Sequence, residues 1–340
     1  MFGRAVYVSQ FDGRLPDDGC DFYFTSFHIA EEFNDEFAGK AAELLRQIKA
    51  NGREVIVDMS PRGLEALEFE SLKDFVQEFS VDYIRFDFGF TEEEIIEASE
   101  YCGVAVNAST ADAEFLSQLR GKVLAIHNYY PRPETGLDSG YFRQKNKDIR
   151  SRGIKIGAYI AGDENLRGPL YEGLPTLEMH RHQKPYVQFE QLRREVDYVI
   201  VGDGGLSERE AELICKAKED GILRLPCILD DRYEYLYDQV LTNRPDSPNW
   251  LCRVMESRQY ATFGQTVEPR NCAERTFGSI TVDNERYLRY SGEIQIMKAN
   301  LPQDDRVNVI GNIDEEYLPL LRHLTRGCRF MPVHGSVKEG

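Results

Sequence analysis

The feature that most limits what this chain can fold into is a rhythm of short apolar runs separated by helical patterns. The runs are RAVYVS (4–9), REVIVDMS (53–60), DYIRFDFG (82–89), GVAVNAS (103–109), KVLAIHN (122–128), KIGAYIAG (155–162), DYVIVGD (197–203) and ILRLPCIL (222–229). Each has strand length. VIV and YVIV are apolar on both faces, as parallel strands covered on both sides are. Helical patterns fall near 31–51, 69–79, 112–120, 138–152 and 185–196. Asn51-Gly52 is a helix stop, and Thr91 with Glu94 has the spacing of a capping box; Ser207 with Glu210 repeats it. Eight strands alternating with helices over the first part of the chain predict an α/β fold, a (β/α)8 TIM barrel. An open doubly wound sheet is the other fold this rhythm allows.

The rhythm ends near 231–249. TNRPDSPN (242–249) reads as a linker or long turn, and RTFGSITVD, RYLRYSGEIQIM and RVNVIGNI then alternate with turn residues. These pieces predict a small antiparallel β-barrel. The expected domains are therefore a TIM barrel over 1–236 and a β-barrel over 237–340.

Composition narrows the function. The 340 residues are 41% hydrophobic and carry a formal net charge of −17. That excess of negative charge argues against nucleic-acid binding and against docking on an anionic membrane. A small anionic ligand held by a few local arginines stays open. No run is long enough for a membrane span, and MFGRAVYVSQ lacks the pattern of a signal peptide. The seven cysteines are widely spaced with no CxxC pair, which fits a reduced, cytoplasmic setting.

In such barrels, functional side chains sit at the C-terminal ends of the strands. Those ends carry Asp58, Ser60, Asp87, Asn107, His127, Asn128 and Asp203. Alternate residues of a strand share a face, so Asp58 goes with Ile56, Asp87 with Arg85 and Asp203 with Val201. If those faces point inward, three carboxylates ring one cavity, and paired carboxylates are what glycoside hydrolysis requires. Asp87 and Asp203, last on their strands, are the favoured pair. Asp58 reads first as the partner of Arg85 in a structural ion pair. Ser60, Asn107, His127 and Asn128 are candidates for sugar contacts.

Two long polar loops, HNYYPRPETGL (127–137) and the stretch after KIGAYIAG up to His182, supply Arg132 and Arg167 as candidate anion ligands. Arg244 could add charge from the second domain. Glu172 and Glu178 are either a reserve acid or helix caps. Glu178, His180 and His182 alternate but lack a fourth ligand, so no metal is expected. VGDGGLSERE (201–210) is either a phosphate cradle or a capped turn. Lys122 and Lys155 begin their strands, the wrong end for a Schiff-base aldolase. No cofactor motif is present.

FTSFHIAEE (24–32), VDMSP (57–61), IRFDFGF (84–90), NAST (107–110), HNYYPRPETGL, RGPLYEGLPTLEMHR (167–181), VGDGGLSE (201–208), TNRPDS (242–247), ERTFGSITVDNERYLRYSGEIQI (274–296) and DDRVNVIGNI (304–313) carry a resemblance over nearly the whole chain. They resemble the MupG-type 6-phospho-N-acetylmuramidases, bacterial proteins that pair a TIM barrel with a cyclophilin-like β-barrel. The resemblance implies cleavage of 6-phospho-N-acetylmuramyl-β-1,4-N-acetylglucosamine in the cytoplasm, in peptidoglycan recycling, without a cofactor. It suits a mouth furnished with Arg132, Arg167 and Arg244. The rival expectation is a non-catalytic sugar-phosphate-binding or regulatory protein on the same fold. A homo-oligomer is compatible with either.

Overall fold

In the computed structural model, residues 1–335 are described, apart from 17–18, 30–32, 87–88 and 259–265. Eight parallel strands close a barrel in chain order: β1 (Phe2–Ala5), β2 (Phe22–Phe27), β3 (Glu54–Met59), β4 (Tyr83–Phe86), β5 (Gly103–Asn107), β6 (Val123–Ile126), β7 (Lys155–Ile160) and β8 (Tyr198–Val201). β8 pairs with β1 to complete the ring. The covering helices are α1 (Phe37–Ala50), α2 (Pro61–Ala66), α3 (Leu72–Phe79), α4 (Glu92–Ala98), α5 (Ala113–Gln118), α6 (Ser139–Arg150) and α7 (Pro185–Leu192), followed by α8 (Glu208–Asp220). Local signals set several ends. Asn51 closes α1, and Thr91 and Glu94 form the expected capping box at the start of α4.

The barrel is filled by alternate residues of its strands. Phe22 and Phe24 of β2, Ile56 of β3, Tyr83 of β4, Leu124 and Ile126 of β6, and Tyr198 and Ile200 of β8 pack into one buried cluster. Edge-to-face ring contacts, such as Phe22 on Tyr198 at 5.0 Å, fix the aromatic members against one another. Above these largely apolar layers, the C-terminal rim is polar.

The expected strand count is right, but two strands differ. FYFTSF at 22–27 is a barrel strand that the strand–helix rhythm does not reveal. The chain passes from β1 to β2 through a loop and a 3-10 turn at Val8–Gln10, with no α-helix among the described residues between them. Conversely, β9 (Leu223–Leu229), expected as the eighth barrel strand, belongs to a second sheet. The compact units accordingly divide at Ala211/Glu212, inside α8, rather than at 236.

The second unit holds β9 with β10 (Leu241–Thr242), β11 (Leu251–Arg253), β12 (Ser279–Asp283), β13 (Ile294–Met297), β14 (Val307–Ile313) and β15 (Arg329–His334). Their order is β10-β15-β9-β14-β12-β13-β11. Every pairing is antiparallel except β15 on β9. A bridge between Asn243 and Val254 joins the residues just beyond β10 and β11, so the sheet curls until its two edges meet.

Candidate active site

A polar layer caps the apolar barrel at the C-terminal ends of the strands. On β2 the inward position after Phe24 is Ser26; on β3 the position after Ile56 is Asp58; on β4 the position after Tyr83 is Arg85. These residues lie in register across adjacent strands. Ser26 donates its hydroxyl to Asp58 Oδ2 at 3.0 Å. Arg85 donates to Asp58 Oδ1 at 2.9 Å and to Asn128 Oδ1 at 2.5 Å. Asp58 and Arg85 are only 6% and 5% exposed, so this is a buried ion pair, as the sequence led us to expect.

Three tyrosines complete the layer. Tyr7, just beyond β1, donates to the carbonyl of Gly202 at 3.1 Å. Its ring lies under the Arg167 guanidinium, 3.5 Å from ring centroid to guanidinium carbon, close enough for a cation–π contact. Tyr159 is the last inward-facing residue of β7, and Tyr129 follows β6. Tyr129 and Tyr7 lie close enough to act on each other's phenol. Burial raises the pKa of all three phenols, so they remain neutral donors. Tyr7, Tyr129 and Tyr159 escaped the sequence reading because an apolar ring at a strand end looks like core. For Tyr7 and Tyr159 the signal is position, in the inward-facing series of their strands; Tyr129 follows the end of β6.

The two polar loops fold against each other over this layer. Tyr130 N–H bonds Pro175 O at 3.0 Å, Leu137 N–H bonds Thr176 O at 2.9 Å, and Glu178 N–H bonds Leu137 O at 3.1 Å. Thr176 stitches them to the barrel: its hydroxyl donates to Asn128 O and accepts from Tyr159 N–H, both at 2.9 Å. Glu178 accepts from Glu134 N–H and Gly136 N–H, each at 2.8 Å, and from two nitrogens of Arg181, each at 2.6 Å. These bonds, Arg181 foremost, hold its pKa down to about 2. Expected as a reserve acid, Glu178 is a clasp between loops, with both oxygens taken.

Asp203 is corrected more sharply. The inward residues of β8 are Tyr198 and Ile200, so Val201 faces outward, and Asp203 lies two residues past the end of the strand. There Asp203 is fully buried. Oδ2 accepts from Gly162 N–H and Leu174 N–H, each at 2.9 Å, and Oδ1 accepts from Arg167 N–H at 3.0 Å. Burial nonetheless raises its pKa. These bonds make Asp203 an organiser of the loop that carries Arg167, with both carboxylate oxygens occupied by loop amides. Asp87, the other favoured acid, lies outside the described residues.

Several sugar-contact candidates also have structural jobs. His127 faces outward and is buried. Nε2–H donates to Asn146 Oδ1 at 2.8 Å, Nδ1 accepts from Ser109 at 3.0 Å, and burial lowers its pKa to about 4. Ser60 caps α2 by accepting from Gly63 N–H. Asn107 Oδ1 accepts from Ser109 N–H. Arg244 is in the second unit and pairs with Asp246 at 2.7 Å. Arg132 and Glu172 are exposed on the loops, and Asn128 stays in the polar layer.

The loop at 201–210 is no phosphate cradle. Asp163 Oδ1 accepts from Ser207 N–H and its Oδ2 from the Ser207 hydroxyl, at 2.7 and 2.6 Å, which puts a carboxylate where the anion would sit. Glu210 accepts from Tyr186 N–H, which ties α8 to the start of α7. Two of the loop's glycines serve close packing: a Cβ on Gly204 would lie 2.8 Å from Asn165 O and one on Gly202 2.9 Å from Leu174 O. Of the possible metal trio, His180 is buried, His182 is exposed and Glu178 is committed. Among the described residues no three His, Cys, Asp or Glu side chains converge as a metal site, and no helix is long and apolar enough to cross a membrane.

Comparison with known proteins places this arrangement. The family model described as 6-phospho-N-acetylmuramidase, N-terminal, matches residues 14–216, and the corresponding C-terminal model matches 224–331. A crystal structure of a conserved Enterococcus faecalis protein of unknown function is similar, with 30% identity and a TM-score of 0.85, covering 98% of this chain and 96% of that one. An uncharacterized B. cereus protein is similar at 25% identity and a TM-score of 0.79, covering 98% and 99%. No curated protein matches the chain.

Proposed function

The chain belongs to the 6-phospho-N-acetylmuramidase family, which supports a glycoside hydrolase role, and on that premise we propose the substrate 6-phospho-N-acetylmuramyl-β-1,4-N-acetylglucosamine, cleaved in the cytoplasm during peptidoglycan recycling. The observation that carries this reading is the polar layer of Ser26, Asp58, Arg85 and Asn128 at the C-terminal rim of the barrel, the end where barrel enzymes do their chemistry.

Asp58 is the described carboxylate in that layer and takes the part of nucleophile or base. Asp87, two residues beyond Arg85 in the sequence, is the partner acid. Arg167, held over Tyr7, and the exposed Arg132 serve the phosphate and the lactyl carboxylate, because a guanidinium matches both anions in bidentate fashion. Asn128 offers its amide to a sugar hydroxyl.

The test is incubation of purified protein with the phosphorylated disaccharide and its unphosphorylated counterpart, with mass detection of released N-acetylglucosamine. Turnover restricted to the phosphorylated sugar is expected. Asp58→Asn and Asp87→Asn should each lower kcat by about a thousandfold or more. Wild-type rates in both variants reject the residue roles. Binding of the phosphorylated sugar without any product would instead establish the non-catalytic alternative.

A further inference from the structure

One polar group at the barrel mouth is left without a partner. Tyr159 is 1% exposed, and its hydroxyl is buried with no hydrogen-bond partner among the described residues. Two hydroxyls of the same layer are committed elsewhere: Ser26 to Asp58 and Tyr7 to Gly202. The ring cannot easily turn away. Its edge-to-face neighbours are Phe24 at 5.7 Å and Tyr129 at 5.1 Å, and Thr176 holds the Tyr159 main chain on both sides. Arg85 and Asp58 are close enough to act electrostatically on the phenol. A buried hydroxyl that bonds to nothing is unfavourable and uncommon in folded proteins, and where one stands beside an ion pair at a binding mouth, an incoming ligand is the natural partner.

We infer that Tyr159 is a ligand-contacting residue, whose hydroxyl bonds an oxygen of the bound sugar beside the Asp58–Arg85 pair once the Tyr129 ring turns aside. Tyr129 suits the part of cover. It is only partly buried, it belongs to the 127–137 loop, and its edge rests on the Tyr159 ring. The sugar therefore gains contact with the polar layer and with Tyr159 in one movement. This inference rests on the glycosidase reading above.

Tyr159→Phe removes the oxygen and leaves the ring. In the unliganded protein the variant should melt at the wild-type temperature or higher, since no bond is lost. Its kcat/KM on the phosphorylated disaccharide should fall roughly tenfold or more, the cost of one unmade hydrogen bond to the ligand. A lower melting temperature with unchanged kcat/KM would show the hydroxyl serving the fold and overturn the inference. Wild-type turnover with an equal kcat/KM in Tyr159→Phe overturns the inference alone. A wild-type protein that neither cleaves the disaccharide nor is thermally stabilised by it overturns the glycosidase reading, and this inference with it.

Discussion

Asp58, His127 and Asp203 all stand at strand ends, and the pleat of the strand decides what each can do. Asp58 continues the inward series of β3 and meets the mouth. His127 continues an outward series and packs against α6, while Asp203, just past β8, is enclosed by the amides of the loop after β7. Residue type was legible in the sequence, and so was the pairing of each residue with a face. Which face points inward was not, because strands apolar on both sides give no contrast between inside and outside. The outward placement of His127 has a measurable consequence. Unfolded, its imidazole takes up a proton as the pH falls through 6.5, whereas the folded one stays neutral until about 4. Between those values the unfolded chain binds more protons. The contribution is therefore intact above pH 6.5 and is lost as the pH falls toward 4, to the extent of about 3 kcal/mol. Urea unfolding at pH 7 and at pH 4.5 should show a larger acid loss for wild type than for His127→Gln. Equal losses in the two proteins would mean that the histidine titrates normally in the fold.

The two loops after β6 and β7 act as one element. Their density of Arg, Glu, His and Tyr marked them in the sequence as more than connectors, but much of that polarity is spent internally. Glu178 and Arg181 tie one loop to the other, and Asp203 gathers the segment around Arg167. Spacing alone could not separate a side chain that grips a ligand from one that grips the neighbouring loop, since both tasks call for the same donors and acceptors. β2 is hidden for another reason: its strand-length aromatic run has no α-helix before it among the described residues, so it breaks the strand–helix rhythm. The clasp can be loosened without touching a proposed ligand contact. A Cβ on Gly136 would come within 2.6 Å of Glu178 Oε2 and 2.7 Å of Glu178 N, so Gly136→Ala must push the loops apart. Amide exchange at Glu134 and Leu137 should quicken by about tenfold or more, equivalent to about 1.4 kcal/mol of lost local protection. KM should rise more than kcat falls, because Arg132 and Tyr129 ride on the loosened segment. Unchanged exchange at these amides would show that Glu178 is not what holds them.

At the scale of the whole chain, the division into a barrel and a β-rich unit was readable from the change of rhythm, and the boundary was misplaced for an identifiable reason. β9 is a short apolar run that directly follows a helix, which is also how a barrel strand looks in sequence. What assigns it to the second unit is pairing: β14 on one side, antiparallel, and β15 on the other, parallel along Leu223–Cys227. These partners lie some 80 to 110 residues downstream, beyond the reach of any local pattern. Because β9 is internal to its sheet, it bears on stability far more than an edge strand would. A fragment covering 237–340 lacks it, leaves facing edges of β14 and β15 unpaired, and loses the fully buried side chains of Leu223, Leu225 and Cys227. A fragment starting at Glu212 retains the strand and its lead-in from α8. We expect the longer fragment to give a cooperative thermal transition and dispersed amide resonances, and the shorter one to remain unfolded or aggregate. If 237–340 folds as cooperatively as 212–340, β9 is dispensable to the second unit, and the division of the chain belongs nearer residue 236.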